Sequence, residues 1–276
     1  MNNYYTAEQA RKKLGLKQST FHYLVRKGEI PDKHFPLRKH ALYPKQEIDK
    51  LAEERTQLIT EYEEKPGRFA FVIPTQEDLE QLIEIERTCY HEQTIIPSER
   101  IQRRFAYNPE NIHVLKDIQT NVVVGSITMS PLKSVTLGKL INLEIDETQI
   151  NPEDYLPYIP NAPLDCYVIS IIAKPCVTEK YYAQILLRAV LDYLLELLNR
   201  GVTVRRIYTV ATTKEGEKLA RSMHFTSLNT NWSGEHEDFR HSYVLDLESS
   251  DNTSRLVKRY LKQKRNLERR RKRYSS

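Results

Sequence analysis

Over the first sixty positions, apolar residues recur at helical spacing. Ala7, Ala10 and Leu14 share one face of a short helix, and Phe21, Leu24 and Val25 form the stripe of a second. Thr6 is placed to cap the first helix, with Gln9 as its capping-box partner. Gly15 closes that helix by supplying a left-handed backbone, and Leu16 packs behind it. Lys17 or Ser19 opens the second helix, Gly28 ends it and Pro31 blocks continuation. A tight glycine-containing turn between two short helices is a helix-turn-helix signature. FPLRKHALY then reads as a hairpin or wing with Arg38, Lys39 and His40 at its tip, and a helix starts after Pro44. Leu51, Leu58 and Ile59 give that helix an apolar face too short for a coiled coil stable alone.

Pro66-Gly67, in the charged stretch TEYEEKPGRF, marks a boundary beyond which the pattern becomes α/β. RFAFVI is strand-like. TQEDLEQLIEIERTCY is an amphipathic helix with Thr75 as its cap and Leu79, Leu82, Ile83 and Ile85 facing inward. PSERIQRRFAY is a second helix, and NIHVLKD and VVVGSITMSPL form a hairpin. Residues 136–163, with four prolines, read as irregular. LDCYVISIIAKP is a buried central strand, and a long helix follows over 179–199. RRIYTVAT, a helix KEGEKLARSMHF, a strand near Thr226 and RHSYVLDL complete the pattern. The expected organisation is multidomain: 1–62, a small all-α winged helix-turn-helix; 63–67, a linker; 68–248, an α/β mixed-sheet domain; and 249–276, a basic helical or disordered tail.

Charge sharpens this division. The net charge of the 276 residues is +5, but residues 1–50 carry 11 Lys/Arg against 5 Asp/Glu and residues 251–276 carry 11 against 2. The remainder holds 20 against 30. Two basic ends around an acidic middle point to polyanion binding at the ends. The tail SRLVKRYLKQKRNLERRRKRYSS spaces Leu256, Tyr260, Leu267 and Tyr274 loosely, and its self-repulsion favours a disordered or fraying state that orders on DNA, or on RNA. No apolar run approaches the ~18 residues that span a bilayer, and MNNYYTAEQARKK has no apolar core of a signal peptide. The expectation is a cytoplasmic protein with no membrane partner. Cys89, Cys166 and Cys176 form no CxxC pair and read as buried, reduced thiols. GEHEDFRHS gathers His236, Glu237, Asp238 and His241 at a spacing that matches no ligand motif, so no metal is expected.

The second helix offers Lys17, Gln18, Ser19, Thr20, His22, Tyr23 and Arg26, residue types suited to base edges and phosphates. The spacing in EQARKKLGLKQSTFHYLVRKGEIP, the short wing and the entry LYPKQEID into a closing helix resemble the winged helix-turn-helix of the MerR and excisionase type. The resemblance covers about residues 4–55. It implies double-stranded DNA as partner, helix 18–27 in the major groove, and wing contacts from Arg38, Lys39 and His40.

The order of elements after residue 68, with VVVGSITM, YVISIIAKP leading into AQILLRAVLDYLLELL, and IYTVATTKEGEKLARSMHFTSL, resembles the GNAT N-acetyltransferase fold. That resemblance implies acetyl-CoA or another acyl-CoA, held by strand residues Ile171, Ile172 and Ala173 and by Thr178, Lys180, Tyr181 and Ala183 of the turn. The family turn reads [QR]-x-x-G-x-[GA]. Here Thr178 replaces the arginine or glutamine, Tyr181 replaces the first glycine, and only Ala183 conforms. Glu179 adds a charge that repels a diphosphate. The acid tyrosine of many members is Ala220, the asparagine seven residues earlier is Thr213, and the usual glycine before Phe225 is His224. Asp165, Tyr167 and Glu144 are the candidates for a catalytic base.

Three functions follow from these resemblances. The first is a DNA-binding regulator whose GNAT-like domain senses a ligand, forms a homodimer or contacts a partner. The second is an acetyl-CoA-dependent N-acetyltransferase brought to its substrate by its basic ends. The third is an excisionase-like assembly factor of a mobile element.

Overall fold

The computed structural model describes residues 3–36, 40–64, 67–89, 98–228 and 240–274. The chain begins with β1 (Tyr4–Tyr5), α1 (Ala7–Leu14) and α2 (Gln18–Arg26), followed by β2 (Tyr43–Pro44) and α3 (Lys45–Glu64). Strand β3 (Phe69–Val72), helices α4 (Gln76–Cys89) and α5 (Ser98–Tyr107), and strands β4 (Ile112–Asp117) and β5 (Val122–Pro131) come next. They lead to α6 (Ser134–Ile141), β6 (Pro163–Ala173), α7 (Glu179–Asn199) and β7 (Thr203–Ala211). The chain closes with α8 (Lys214–Ser222), β8 (Thr226–Ser227), β9 (His241–Asp246) and α9 (Arg255–Tyr274). Among the described residues, seven strands form one mixed sheet in the order β3-β4-β5-β6-β7-β9-β8. β6 and β7 run parallel, whereas β9 is antiparallel to β7.

The chain divides into two compact units, the first made of Met1–Ile95, Val114–Ser126 and Ile172–Leu186. Its N-terminal part follows the residues closely. Thr6 and Gln9 form the reciprocal capping box, and Gly15 turns left-handed at φ 63° to end α1. Lys17 stands at the start of α2. Ala10, Leu14, Leu16, Phe21, Leu24, Ile30, Tyr43 and Ile48 form a buried core. β1 pairs antiparallel with β2, and a bridge between Lys33 and Leu42 starts the wing. The wing-tip residues Arg38 and Lys39 lie outside the described residues, and His40 is exposed.

In the same unit, β3 pairs antiparallel with β4, and Arg68 grips Asp117 at 2.9 Å. Thr75 caps α4 through its hydroxyl, and Asp78 takes Lys116 at 2.7 Å. Gly125 has a structural reason: a Cβ there would meet the Ile172 carbonyl oxygen at 3.0 Å. Only glycine lets the two backbones approach so closely.

The second unit comprises Ile96–His113, Ile127–Ile171 and Leu187–Ser276. One expectation is corrected in it. Residues 136–163 read as irregular in the sequence, but 136–141 belong to α6, whose Leu137 and Leu140 pack with Tyr155, Tyr167, Tyr208 and Val210. Burial of that face offsets the cost of Gly138 inside the helix. The tail, expected to be helical or disordered, is the helix α9. Leu256, Val257 and Tyr260 are buried, so its first turns are held by packing rather than by propensity.

Candidate DNA interface and anion turn

α2 is locked into the core by Phe21 and Leu24, which leaves its other faces to function. Gln18, Ser19, His22 and Arg26 are exposed, and Tyr23 is half-buried with Lys27 Nζ 5.7 Å from its ring centre. Thr20 differs: it is 7% exposed and donates its hydroxyl to Glu179 Oε2 at 2.7 Å. Lys17 Nζ lies 3.6 Å from Glu179 Oε1.

Glu179 opens α7, the helix that follows the anion turn. An α-helix leaves its first-turn N–H groups over, and these are what grasp an anion. Here the N–H of Glu179 donates to the Cys176 carbonyl at 3.1 Å, and that of Tyr181 to the Thr178 carbonyl at 2.9 Å. Tyr181, in the glycine position, is buried 6.1 Å from the Phe69 ring centre, and Tyr182 lies 5.8 Å from the same ring. Thr178 is buried, with Oγ1 3.1 Å from Cys176 Sγ. Ile172 is buried, Ile171, Ala173 and Ala183 are half-buried, and Lys180 is exposed. Two first-turn N–H groups engaged within the turn, a buried aromatic ring packed on Phe69 and a carboxylate at the helix start are a poor fit to a coenzyme A diphosphate.

The candidate bases are also engaged. Asp165 accepts from Arg205 Nε at 3.0 Å and from its Nη2 at 2.7 Å. Tyr167 is buried and donates to Glu147 Oε1 at 2.6 Å. Burial first, and then the Glu147 charge, hold its hydroxyl well above the ordinary tyrosine range. Glu144 is exposed and accepts from Asn142. Glu147 carried no signal in the sequence, since it sits in a short 3-10 turn of the proline-rich stretch. Ala220 is buried beside Tyr243, Thr213 caps α8, and His224 adopts a left-handed φ of 62°. Among the described residues, no three His, Cys, Asp or Glu side chains converge as a metal site. His236, Glu237 and Asp238 lie outside the described residues, and His241 sits 3.9 Å from Glu217. No helix among the described residues is long and apolar enough to cross a membrane.

Residues 4–56 match the model of a helix-turn-helix domain family. No curated protein matches the chain. Among solved structures, the chain is similar to the loading GNATL domain of CurA from Lyngbya majuscula, with 16% identity and a TM-score of 0.48. That match covers 64% of this chain and 97% of the other. The GphF GNAT-like decarboxylase in complex with isobutyryl-CoA has 13% identity and a TM-score of 0.46, over 65% and 98% of the two chains. A GNAT-family acetyltransferase from Bacillus anthracis has 12% identity and a TM-score of 0.41, over 66% and 96%. The chain joins an N-terminal helix-turn-helix domain to a domain built on a seven-stranded mixed sheet among the described residues.

Proposed function

We propose that this chain is a DNA-binding regulatory protein whose GNAT-like domain acts as scaffold, ligand sensor or partner-binding module. One observation carries the reading. α2 is fixed by its apolar stripe and the left-handed Gly15 turn, while Gln18, Ser19, His22 and Arg26 stand exposed on it with Lys17 at its start. That set of donors on a rigid helix suits phosphates and base edges. The exposed Arg255, Lys258, Lys262, Arg265, Arg269 and Arg270 of α9 supply a second polyanion-binding element. The engaged Asp165 and Tyr167 and the occupied anion turn favour this role over acetyl transfer.

Binding of a mixed-sequence duplex, followed by fluorescence anisotropy across a salt series, tests it. Five or more phosphate contacts give a log–log slope of about −4 or steeper. Truncation after Lys264 keeps the buried anchor Tyr260 and is expected to weaken binding and flatten the slope. Binding that ignores salt, or none at low salt, would refute the reading.

A further inference from the structure

The first turn of α2 and the first turn of α7 hold one another. Glu179 uses both carboxylate oxygens, one for the Thr20 hydroxyl and one facing the Lys17 ammonium. The Glu179 side chain is 17% exposed and that of Lys17 48%, so the ion pair is partly screened and the shorter Thr20 hydrogen bond is the firmer half of the contact. Val177, two residues before Glu179, packs against the apolar core of the helix-turn-helix. The contact is thus a packed seat with an apolar and a polar part, and all of it lies within one compact unit.

The chemistry of that seat is that of a phosphate. A carboxylate taking a hydroxyl and an ammonium stands in for the anionic oxygens that such groups meet on a nucleic-acid backbone. Lys17 and Thr20 also lie at the N-terminal end of α2, where a helix in a major groove makes its contacts. The Thr20 hydroxyl has one proton and cannot serve Glu179 and a duplex at the same time, and the Lys17 ammonium is drawn toward the same carboxylate. The same carboxylate accounts for a second anomaly. At a diphosphate turn it is repulsive, whereas here it is the group that the seated helix requires.

We propose that Glu179 is an internal competitor for DNA, which keeps the first turn of α2 seated on α7 until a duplex displaces it. This inference rests on the DNA-binding reading above. Its consequence is arithmetic: apparent affinity is the intrinsic affinity multiplied by the fraction of molecules that are unseated.

The test compares the full chain with three variants, using a fluorescent mixed-sequence duplex at fixed salt. Glu179→Ala removes the competitor. Val177→Ala loosens the apolar part of the seat without changing charge. Glu8→Ala, at an exposed site on α1 paired with Lys12, changes net charge by the same amount as Glu179→Ala and leaves the seat intact. Glu179→Ala is expected to bind about tenfold more tightly and Val177→Ala severalfold, with less than a twofold change for Glu8→Ala. Hydrogen exchange of the free chain is expected to speed up in residues 18–26 of Glu179→Ala. Equal affinities for the full chain and the two seat variants overturn the competitor, as does an equal gain for Glu8→Ala, which would be a net-charge effect. Absence of binding by every chain at low salt overturns the DNA-binding reading, and the competition with it.

Discussion

A single hydroxyl satisfies both backbone groups of a buried residue: Tyr260 accepts from the Val204 N–H at 2.9 Å and donates to the Val204 carbonyl at 2.8 Å. Tyr260 belongs to the basic helix α9 and Val204 to β7, and both are fully buried. A helix that would repel itself in isolation is thereby tied to the sheet.

Tyr260→Phe keeps the ring and removes both bonds, leaving a buried N–H and a buried carbonyl unpaired. The expected loss is about 2 kcal/mol in urea unfolding. Burial raises the Tyr260 pKa above the ordinary tyrosine value. The folded state therefore holds this proton more tightly than the unfolded chain. The associated stability is whole below about pH 10 and is lost as pH climbs through the folded value. Tyr260→Phe is expected to show a shallower alkaline loss of stability than the parent.

His113 predicts the opposite limb of the pH profile. Its ring lies 4.2 Å from that of Tyr193, near the ion pair of Glu110 and Arg200, and burial lowers its pKa to about 4. The unfolded chain takes up a proton near the ordinary value of about 6.5 that the folded chain refuses until pH 4. Stability is full above pH 6.5 and falls as pH drops toward 4, by at most about 3 kcal/mol. In His113→Gln the urea midpoint is expected to change less over that interval. A profile identical to that of the parent would rule His113 out as the source.

Arg26 tests the orientation of α2. It is exposed at the end of the helix and carries one charge toward the proposed duplex. Arg26→Ala is expected to reduce the magnitude of the log–log salt slope by about 1 while leaving the unfolding midpoint nearly unchanged. An unchanged slope would place Arg26 off the DNA.

The anion turn predicts a null result with acetyl-CoA and a structural cost at Tyr181. About 1 mM acetyl-CoA is expected to leave the melting temperature of the full chain unmoved, whereas a ligand at a large excess over its Kd adds a few kcal/mol. Tyr181→Ala empties a buried site against Phe69 and is expected to cost about 3 kcal/mol. A rise of several degrees with the coenzyme would show that the turn yields to a diphosphate.

Local features were legible from the residues. The Thr6–Gln9 box, the left-handed Gly15 and the span of α7 follow from capping chemistry and apolar periodicity, which act over a few residues. The candidate DNA face was legible for the same reason, since the apolar stripe of α2 dictates which side chains remain outside. The departures of Tyr181 and Glu179 from the turn that the resemblance implies were visible in the residues themselves.

What only the tertiary structure decided lies in contacts between distant positions. Thr20, which composition places with its exposed neighbours, instead meets Glu179, 159 residues away. Asp165 is taken by Arg205, and Tyr167 by Glu147 from a turn with no pattern of its own. Tyr260 turns a stretch dominated by charge repulsion into a docked helix by reaching Val204. Propensity and periodicity describe a residue's neighbours along the chain. A carboxylate's partner and a hydroxyl's acceptor are set by which surfaces the packed sheet and helices bring face to face.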